Sequence, residues 1–368
     1  MRTSPLRDRL AAAGAVFRER HGVEVAAHFG DVRAECGAVR EAVALADFSF
    51  VRGFTLPETP GIDFLDALLA GNVPKIRFGR LLHTFLADAD GRLAADCFVA
   101  NNDQEFVLLA ESILPDEPFD ALLASAGIES PAKDLTGDHV VLILDGVKSW
   151  EIVKKLFGAD VIGLPYLSIE NYEFAGEPVR FIRAGKTSEF GYLLVAPVAI
   201  AAQLFDTLKA EVEARGGRLA GTDAHDALRL EGRFFNIFRE GARVRDPLPL
   251  GLQWMVDFDK EKFLGSDAIK QRRLAGLKQK IIGLVAGADC TALKTGVKIF
   301  HDGQPVGEVV ADCLSYVLNR PLALGLFPVE LAFSGLSFHV GSADGPMAQS
   351  ISMPPIMPRS LAVKLDEM

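Results

Sequence analysis

The chain lacks the signatures by which most enzyme classes announce themselves. No G-x-G-x-x-G follows a strand-like run, and neither a P-loop nor a G-x-S-x-G elbow is present. Dinucleotide hydride transfer, P-loop phosphoryl transfer and α/β-hydrolase chemistry therefore have no support. Seven histidines are scattered without H-x-x-x-H or H-E-x-x-H spacing, so no metal site is expected. Only four cysteines occur, Cys36, Cys97, Cys290 and Cys313, and none forms a C-x-x-C pair. They are expected to be buried free thiols, consistent with a reducing compartment. Lys and Arg are outnumbered by Asp and Glu, for a formal net charge of −10, which argues against a nucleic-acid surface. No run approaches the ~18 apolar residues that span a bilayer. The first ten residues carry charges where a signal peptide would be apolar, and read as an amphipathic helix. A soluble, cytoplasmic protein is the expectation, with chemistry supplied mostly by a bound cofactor.

What is there suits two or three domains, since 368 residues with 49% hydrophobic content exceed one ordinary core. Val32, Cys36, Val39 and Val43 recur at helical spacing over 31–46, and a strand is read over 48–56. Leu81–Ala87 and Leu93–Ala100 flank Asp88-Ala89-Asp90-Gly91, a hairpin signal, and Glu105–Leu109 is read as a third strand. A second unit follows with strand, helix, strand, a turn at Gly185, strand and a long helix over 197–215. This order predicts α+β halves rather than alternating βαβ units. From Thr222 a helix is expected to carry Ala227, Leu230, Phe234 and Ile237 on one face and His225, Arg229 and Arg233 on another. Short strands around Asp302-Gly303 suggest a small β-barrel. The expected units are 1–275, two interleaved α+β lobes, and 276–368, the barrel.

Four groups of residues could carry chemistry, each with a plain structural alternative. Asp96 sits in an apolar strand, either facing outward beside a turn or lining a pocket, where it could orient an amine and manage its proton. Glu189, in the turn Lys186-Thr187-Ser188-Glu189, either faces solvent or accepts hydrogen bonds from an amino-pyrimidine edge. His225, Arg229 and Arg233 form either a solvated stripe or a positive wall for a carboxylate-bearing ligand. Trp254 is either core or a stacking platform.

Taken together these stretches resemble the glycine-cleavage T-protein, or aminomethyltransferase, family. Glu35 to Arg40 with Leu45-Ala46-Asp47-Phe48-Ser49 is similar to its opening helix and L-x-D-x-S strand. Gly91-Arg92-Leu93-Ala94-Ala95-Asp96 resembles G-G-x-x-D-D, and Thr187-Ser188-Glu189-Phe190-Gly191-Tyr192 resembles T-G-E-D-G-F. Leu230-Glu231, Gly251-Leu252-Gln253-Trp254, Phe263-Leu264-Gly265 and Pro305 to Val309 follow in the family's order. The resemblance implies a three-lobed ring holding tetrahydrofolate in a central channel. It makes Asp96 the catalytic residue near the reacting folate nitrogen and Glu189 the holder of the pterin edge. It places His83 and Lys186 where tyrosines are usual, His225 where an arginine is usual, and Trp254 beside the folate. Ala95, Ala110 and Ala311-Asp312-Cys313 depart from the pattern. The implied activity is transfer of an aminomethyl- or methyl-derived unit to folate N5. The donor is a lipoyl carrier protein or a small O-, S- or N-methylated molecule, the latter making the protein a demethylase. A non-catalytic folate-binding branch has a K-G-C-Y-T-G-Q-E motif, where this chain has Phe263-Leu264-Gly265.

Overall fold

The computed structural model describes residues 1–125 and 127–364, so 365–368 of the expected C-terminal unit lie outside the described residues. A five-stranded antiparallel sheet, a six-stranded mixed sheet and a closed six-stranded barrel make up an α+β architecture. The first sheet runs Leu81–Ala87, Leu93–Asn102, Glu105–Ser112, Arg52–Pro57 and Lys133–Asp134. The second runs Ser168–Phe174, Glu177–Arg183, Gly191–Pro197, His139–Asp145, Ala44–Asp47 and Arg218–Leu219. The chain passes from the second sheet to the first between Asp47 and Arg52, so the halves interleave. Strands Gln279–Ala286 through Met347–Ile351 close the barrel. No helix among the described residues is long and apolar enough to cross a membrane.

Alternation along the strands explains where the site lies. In Leu93–Asn102, Ala95, Cys97 and Val99 pack outward against helix Glu58–Leu68 and Phe119 of helix Asp116–Ala124. Phe98 and Ala100 face the other way, meeting Ile143, Ile182 and Leu193 of the second sheet. Side chains two apart share a face, so Asp96 points with Phe98 into the layer between the sheets. By the same count Glu111 joins Leu109, His83 joins Leu81, and Asp145 joins Ile143. Each sheet is covered outside by helices, including Val198–Ala214, which buries Ile200, Leu204, Phe205, Leu208 and Val212 at helical spacing. A strand buried on both faces reads as a near-continuous apolar run, and Leu93–Asn102 does so except at Asp96 and its last two residues.

Two local expectations need correction. The strand read over 48–56 begins only at Arg52, because residues 48–51 turn the chain between the sheets, with Asp47 Oδ1 accepting the Ser49 N–H at 2.9 Å. The helix from Thr222 stops at Glu231, so Phe234, Ile237 and Arg233 lie beyond it. Arg233 adopts φ 58°, and such a left-handed residue ends a helix. A hairpin over Val16–Arg20 and Val23–His28 was not legible in the sequence.

The hairpin that carries His83 and Asp96 turns at Gly91, which has φ +67°. A Cβ there would lie 2.7 Å from Ile269 Cγ1 and 2.9 Å from the Gly265 carbonyl. Gly91→Ala is expected to cost roughly 1–3 kcal/mol through backbone strain and this contact. Thermal melting checks it: an unchanged melting temperature would remove the packing argument.

Candidate active site

A continuous chain of buried ionisable groups runs from one lobe to the other. His83 Nε2 meets Asp96 Oδ1 at 2.7 Å, and Lys186 Nζ donates to Asp96 Oδ2 at 2.5 Å. Lys186 also donates to Glu111 Oε1 at 2.7 Å, and Arg229 clasps Glu111 with two bonds of 2.6 and 3.0 Å. Asp96 and Glu111 face each other directly across paired strands, a placement that repels unless a cation intervenes. The loop bearing Lys186 and the helix bearing Arg229 supply that charge from outside the first sheet. Lys186 Nζ further lies 4.8 Å from the centroid of the Phe98 ring.

The electrostatics follow from this geometry. Burial alone would raise the Asp96 carboxyl, but Lys186 and His83 outweigh it and hold the group well below the usual carboxylate range. Glu111 is likewise pushed up by burial and pulled down further by Arg229 and Lys186, ending lowered. Burial lowers the Arg229 guanidinium, Glu111 raises it, and the net shift is upward. The thiols behave differently: burial pushes Cys36 up to about 12 and raises Cys97 as well, so neither is a poised nucleophile. All four cysteines are free.

Asp96, Glu111, Lys186 and Arg229 line an inner cavity of about 20 Å³, walled by Phe48, Phe98, Leu109 and Leu193. Asp145 and His225 complete it, with His225 Nε2 3.2 Å from Asp145 Oδ2 and its Nδ1 3.0 Å from the Gly221 carbonyl. Three buried polar atoms of cavity-lining residues have no hydrogen-bond partner among the described residues: Asp145 Oδ1, Thr187 Oγ1 and Arg229 Nε. A groove of about 370 Å³ is lined by His83, Tyr166, Arg233, Phe234 and Trp254. Through its bond to Asp96, His83 joins groove to cavity. Trp254 is 64% exposed and touches His83 edge-on at 5.4 Å, so it is a groove wall rather than core. Burial raises the Tyr166 hydroxyl to about 12, aided by the charges of Asp145 and Asp96.

The sequence-derived residues thus divide. Asp96, Lys186, His225 and Arg229 come together at the cavity, His83, Arg233 and Trp254 at the groove. Glu189 is not among the residues lining either. Its Oε1 accepts from Arg40 Nη1 at 3.1 Å and the Arg359 N–H at 3.2 Å, and its Oε2 from the Ser360 N–H at 2.8 Å. Glu111 and Asp145 were missed by sequence reading. Each directly follows the last apolar residue of its strand, where a charge reads as the strand's solvated end. The available signal was alternation: both share parity with inward apolar residues.

Removing Lys186 tests the electrostatic logic. In Lys186→Met the opposed Asp96 and Glu111 cannot both ionise without cost, so one carboxyl is raised in the folded state. A raised carboxyl contributes stability below its unfolded value that is lost as pH rises through the folded one. The variant should therefore melt at a higher temperature at pH 5 than at pH 7. In the parent, the contribution of these two lowered carboxyls should be held above pH ~4 and lost only on further acidification. The difference in melting temperature between parent and variant should therefore widen from pH 5 to pH 7. Parallel pH profiles for the two proteins would refute this.

The comparisons with known proteins agree with this architecture. A family model for the GCVT N-terminal domain matches residues 6–260, and one for the glycine cleavage T-protein C-terminal barrel domain matches 279–357. An aminomethyltransferase of Mycobacterium leprae is 30% identical over 331 residues, covering 89% of this chain and 89% of that protein. One of Desulfitobacterium hafniense is 26% identical over 347 residues, covering 92% and 93%. The crystal structure of glycine cleavage system aminomethyltransferase T from Bartonella henselae superposes with a TM-score of 0.83 at 20% identity. The match covers 97% of this chain and 99% of that one, and shows the shared fold. With family models spanning most of its length and a relative at 30% identity, the chain belongs to the glycine cleavage T-protein (aminomethyltransferase) family.

Proposed function

We propose that this protein is a tetrahydrofolate-dependent one-carbon transferase, moving an aminomethyl- or methyl-derived unit from a donor to the folate. One observation carries the reading: Asp96, buried and held ionised, lines a cavity with unpaired polar atoms and is joined through His83 to an open aromatic groove. The unpaired atoms fit the chemistry of a pterin. Asp145 Oδ1 can only accept, Arg229 Nε can only donate, and Thr187 Oγ1 can do either. An amino-pyrimidine ring offers N–H donors and a carbonyl acceptor to such a set. Leaving these atoms unpaired costs about 1–3 kcal/mol each, which a ligand of this kind recovers. The cavity as it stands has room for little more than a water, so a ring-sized occupant requires wall side chains to move.

Tetrahydrofolate, when bound, supplies the nitrogen that carries the one-carbon unit. Asp96 stabilises positive charge arising beside it, in a site where water does not screen the interaction. His83 fixes the orientation of that carboxylate, and Trp254 walls the groove. Lys186 and His225 are assigned to the ligand-facing wall. Glu189 acts one step away: it and the Thr187 carbonyl are gripped by Arg40, which holds the loop presenting Lys186 and Thr187. The donor is a lipoyl carrier protein's aminomethyl arm or a small methylated molecule. A cytoplasmic setting accords with four free thiols.

The test is binding and turnover measured separately. The parent should bind 5-formyltetrahydrofolate and form a one-carbon folate from a donor. Asp96→Asn should lower turnover by ~10²–10⁴-fold, the range typical of a positioned acid–base group, while 5-formyltetrahydrofolate still binds. An Asn variant with near-parental turnover, or a parent that binds no folate, would end the assignment.

A further inference from the structure

Three ionisable side chains line the groove beside the inner cavity: His83, Tyr166 and Arg233. Burial pushes the Tyr166 hydroxyl up to about 12, and it donates to the Gly185 carbonyl at 3.0 Å. Arg233 carries a guanidinium, which keeps its protons, and its Nη2 holds the Leu250 carbonyl at 3.0 Å. Of the three side-chain types, imidazole alone both gives and takes a proton near neutral pH. The His83 ring is also held for that work. An ionised Asp96 can only accept, so Nε2, 2.7 Å from Asp96 Oδ1, carries a hydrogen. Lys186 fixes the other oxygen of the same carboxylate at 2.5 Å. Phe98 lies against the ring with centroids 4.6 Å apart, and Trp254 meets it edge-on at 5.4 Å. The far nitrogen, Nδ1, has no hydrogen-bond partner among the described residues and is not one of their buried unpaired atoms, so it opens onto the groove. A proton that joins or leaves this ring does so at Nδ1.

We infer that His83 is the proton-transfer residue of the site, giving its Nδ1 proton to the heteroatom that leaves the one-carbon donor. The inference rests on the one-carbon reading above and holds for either kind of donor. When a one-carbon unit passes from a heteroatom X to an acceptor N–H, the C–X bond breaks and its electron pair stays on X. The N–C bond forms from the nitrogen lone pair, and one proton has to move from nitrogen to X. His83 Nδ1 protonates X, then regains a proton from the nitrogen. The sum is N–H + C–X → N–C + H–X, with the ring unchanged and no oxidant or reductant required. While both ring nitrogens are protonated, the imidazolium and Asp96 offset each other. His83 thus does more than hold Asp96: the carboxylate in turn aims the ring and supports its charge, as positioned acid–base groups require.

One readout needs no ligand. In a long-range proton–nitrogen NMR titration of the whole chain with nitrogen-15 histidine, the His83 signals are those missing from His83→Gln. As pH rises from 5 to 9, Nδ1 should move to the shift of a bare ring nitrogen while Nε2 keeps that of an N–H. A neutral ring with its hydrogen on Nδ1, or a ring that does not titrate in this range, overturns the inference. Kinetics supply the second readout. His83→Gln keeps an N–H for Asp96 but has no nitrogen that titrates. Its kcat should fall ~10²–10⁴-fold while 5-formyltetrahydrofolate binds as in the parent. The parental fall in kcat as pH rises, expected of an acid that must be protonated, should be lost. The other charged or titratable groups around the ring are Asp96 with Lys186 behind it, and Tyr166 and Arg233 along the groove. All four remain in the variant, so a pH limb that persists belongs to one of them and overturns the inference. Near-parental kcat does the same, since a ring that only positioned Asp96 is replaceable by the amide. A parent that makes no one-carbon folate from an aminomethylated lipoyl carrier, anisole or thioanisole removes the one-carbon reading and the role built on it. The NMR result then shows separately whether the proton-bearing ring stands.

Discussion

Two carboxylates placed opposite one another inside a protein have to be reconciled by something. Here Asp96 and Glu111 face each other across adjacent strands, and Lys186 Nζ sits within hydrogen-bond reach of both. Arg229 completes the neutralisation from a helix beyond the first sheet. None of these four residues is tolerable without the others: removing one partner of a buried ion pair typically costs ~3–5 kcal/mol, because it strands the remaining charge. The network is therefore a condition on how the halves assemble. It adds little stability over an apolar packing of the same volume, and it fixes which residues face the cavity.

The rest of the molecule keeps that arrangement dry and in register. Helices cover the outer faces of both sheets, so their inner faces are left to pack on each other, and the ionisable groups sit at one margin of that apolar layer. A second buried junction ties in the barrel. Arg40 Nη2 donates to Glu231 Oε2 at 2.9 Å, while Glu231 Oε1 accepts from Ser315 Oγ at 2.6 Å. Arg40 also holds Glu189, whose carboxylate receives two backbone N–H groups of the C-terminal segment. The loop that presents Lys186 is thus braced from three directions, by the opening helix, the helix ending at Glu231 and the chain's last described turn. The placement of Lys186 depends on residues, Arg40, Glu189 and Glu231, that do not line the cavity.

Much of this was legible in the sequence, and the reasons for the gaps are physical. The turn at Asp88–Gly91 and the flanking apolar runs gave the central hairpin, because turn chemistry and alternation are local. Asp96 stood out because a carboxylate in an apolar run needs an explanation. Glu111 and Asp145 did not, since each ends its run and a strand-terminal charge is ordinarily solvated. The outward-facing alternative for Asp96 failed because both faces of its strand are covered. Glu189 was expected at a pterin edge from resemblance; its surroundings depend on Arg40 and residues 359–360, far away in sequence and invisible to local pattern. The helix boundary at Glu231 turned on one left-handed residue, Arg233, a conformation that arginine's sequence context does not announce.

The account's central claim is that Asp96 is a buried carboxylate kept ionised by Lys186 and His83. A carbon-13 NMR titration of the Asp96 side-chain carboxyl tests this most directly. The account predicts a carboxylate signal unchanged from neutral pH down past the ordinary aspartate value of ~3.9, with any protonation occurring well below it. A midpoint at or above that value would contradict it, since the lysine and histidine would then not be offsetting the cost of burial.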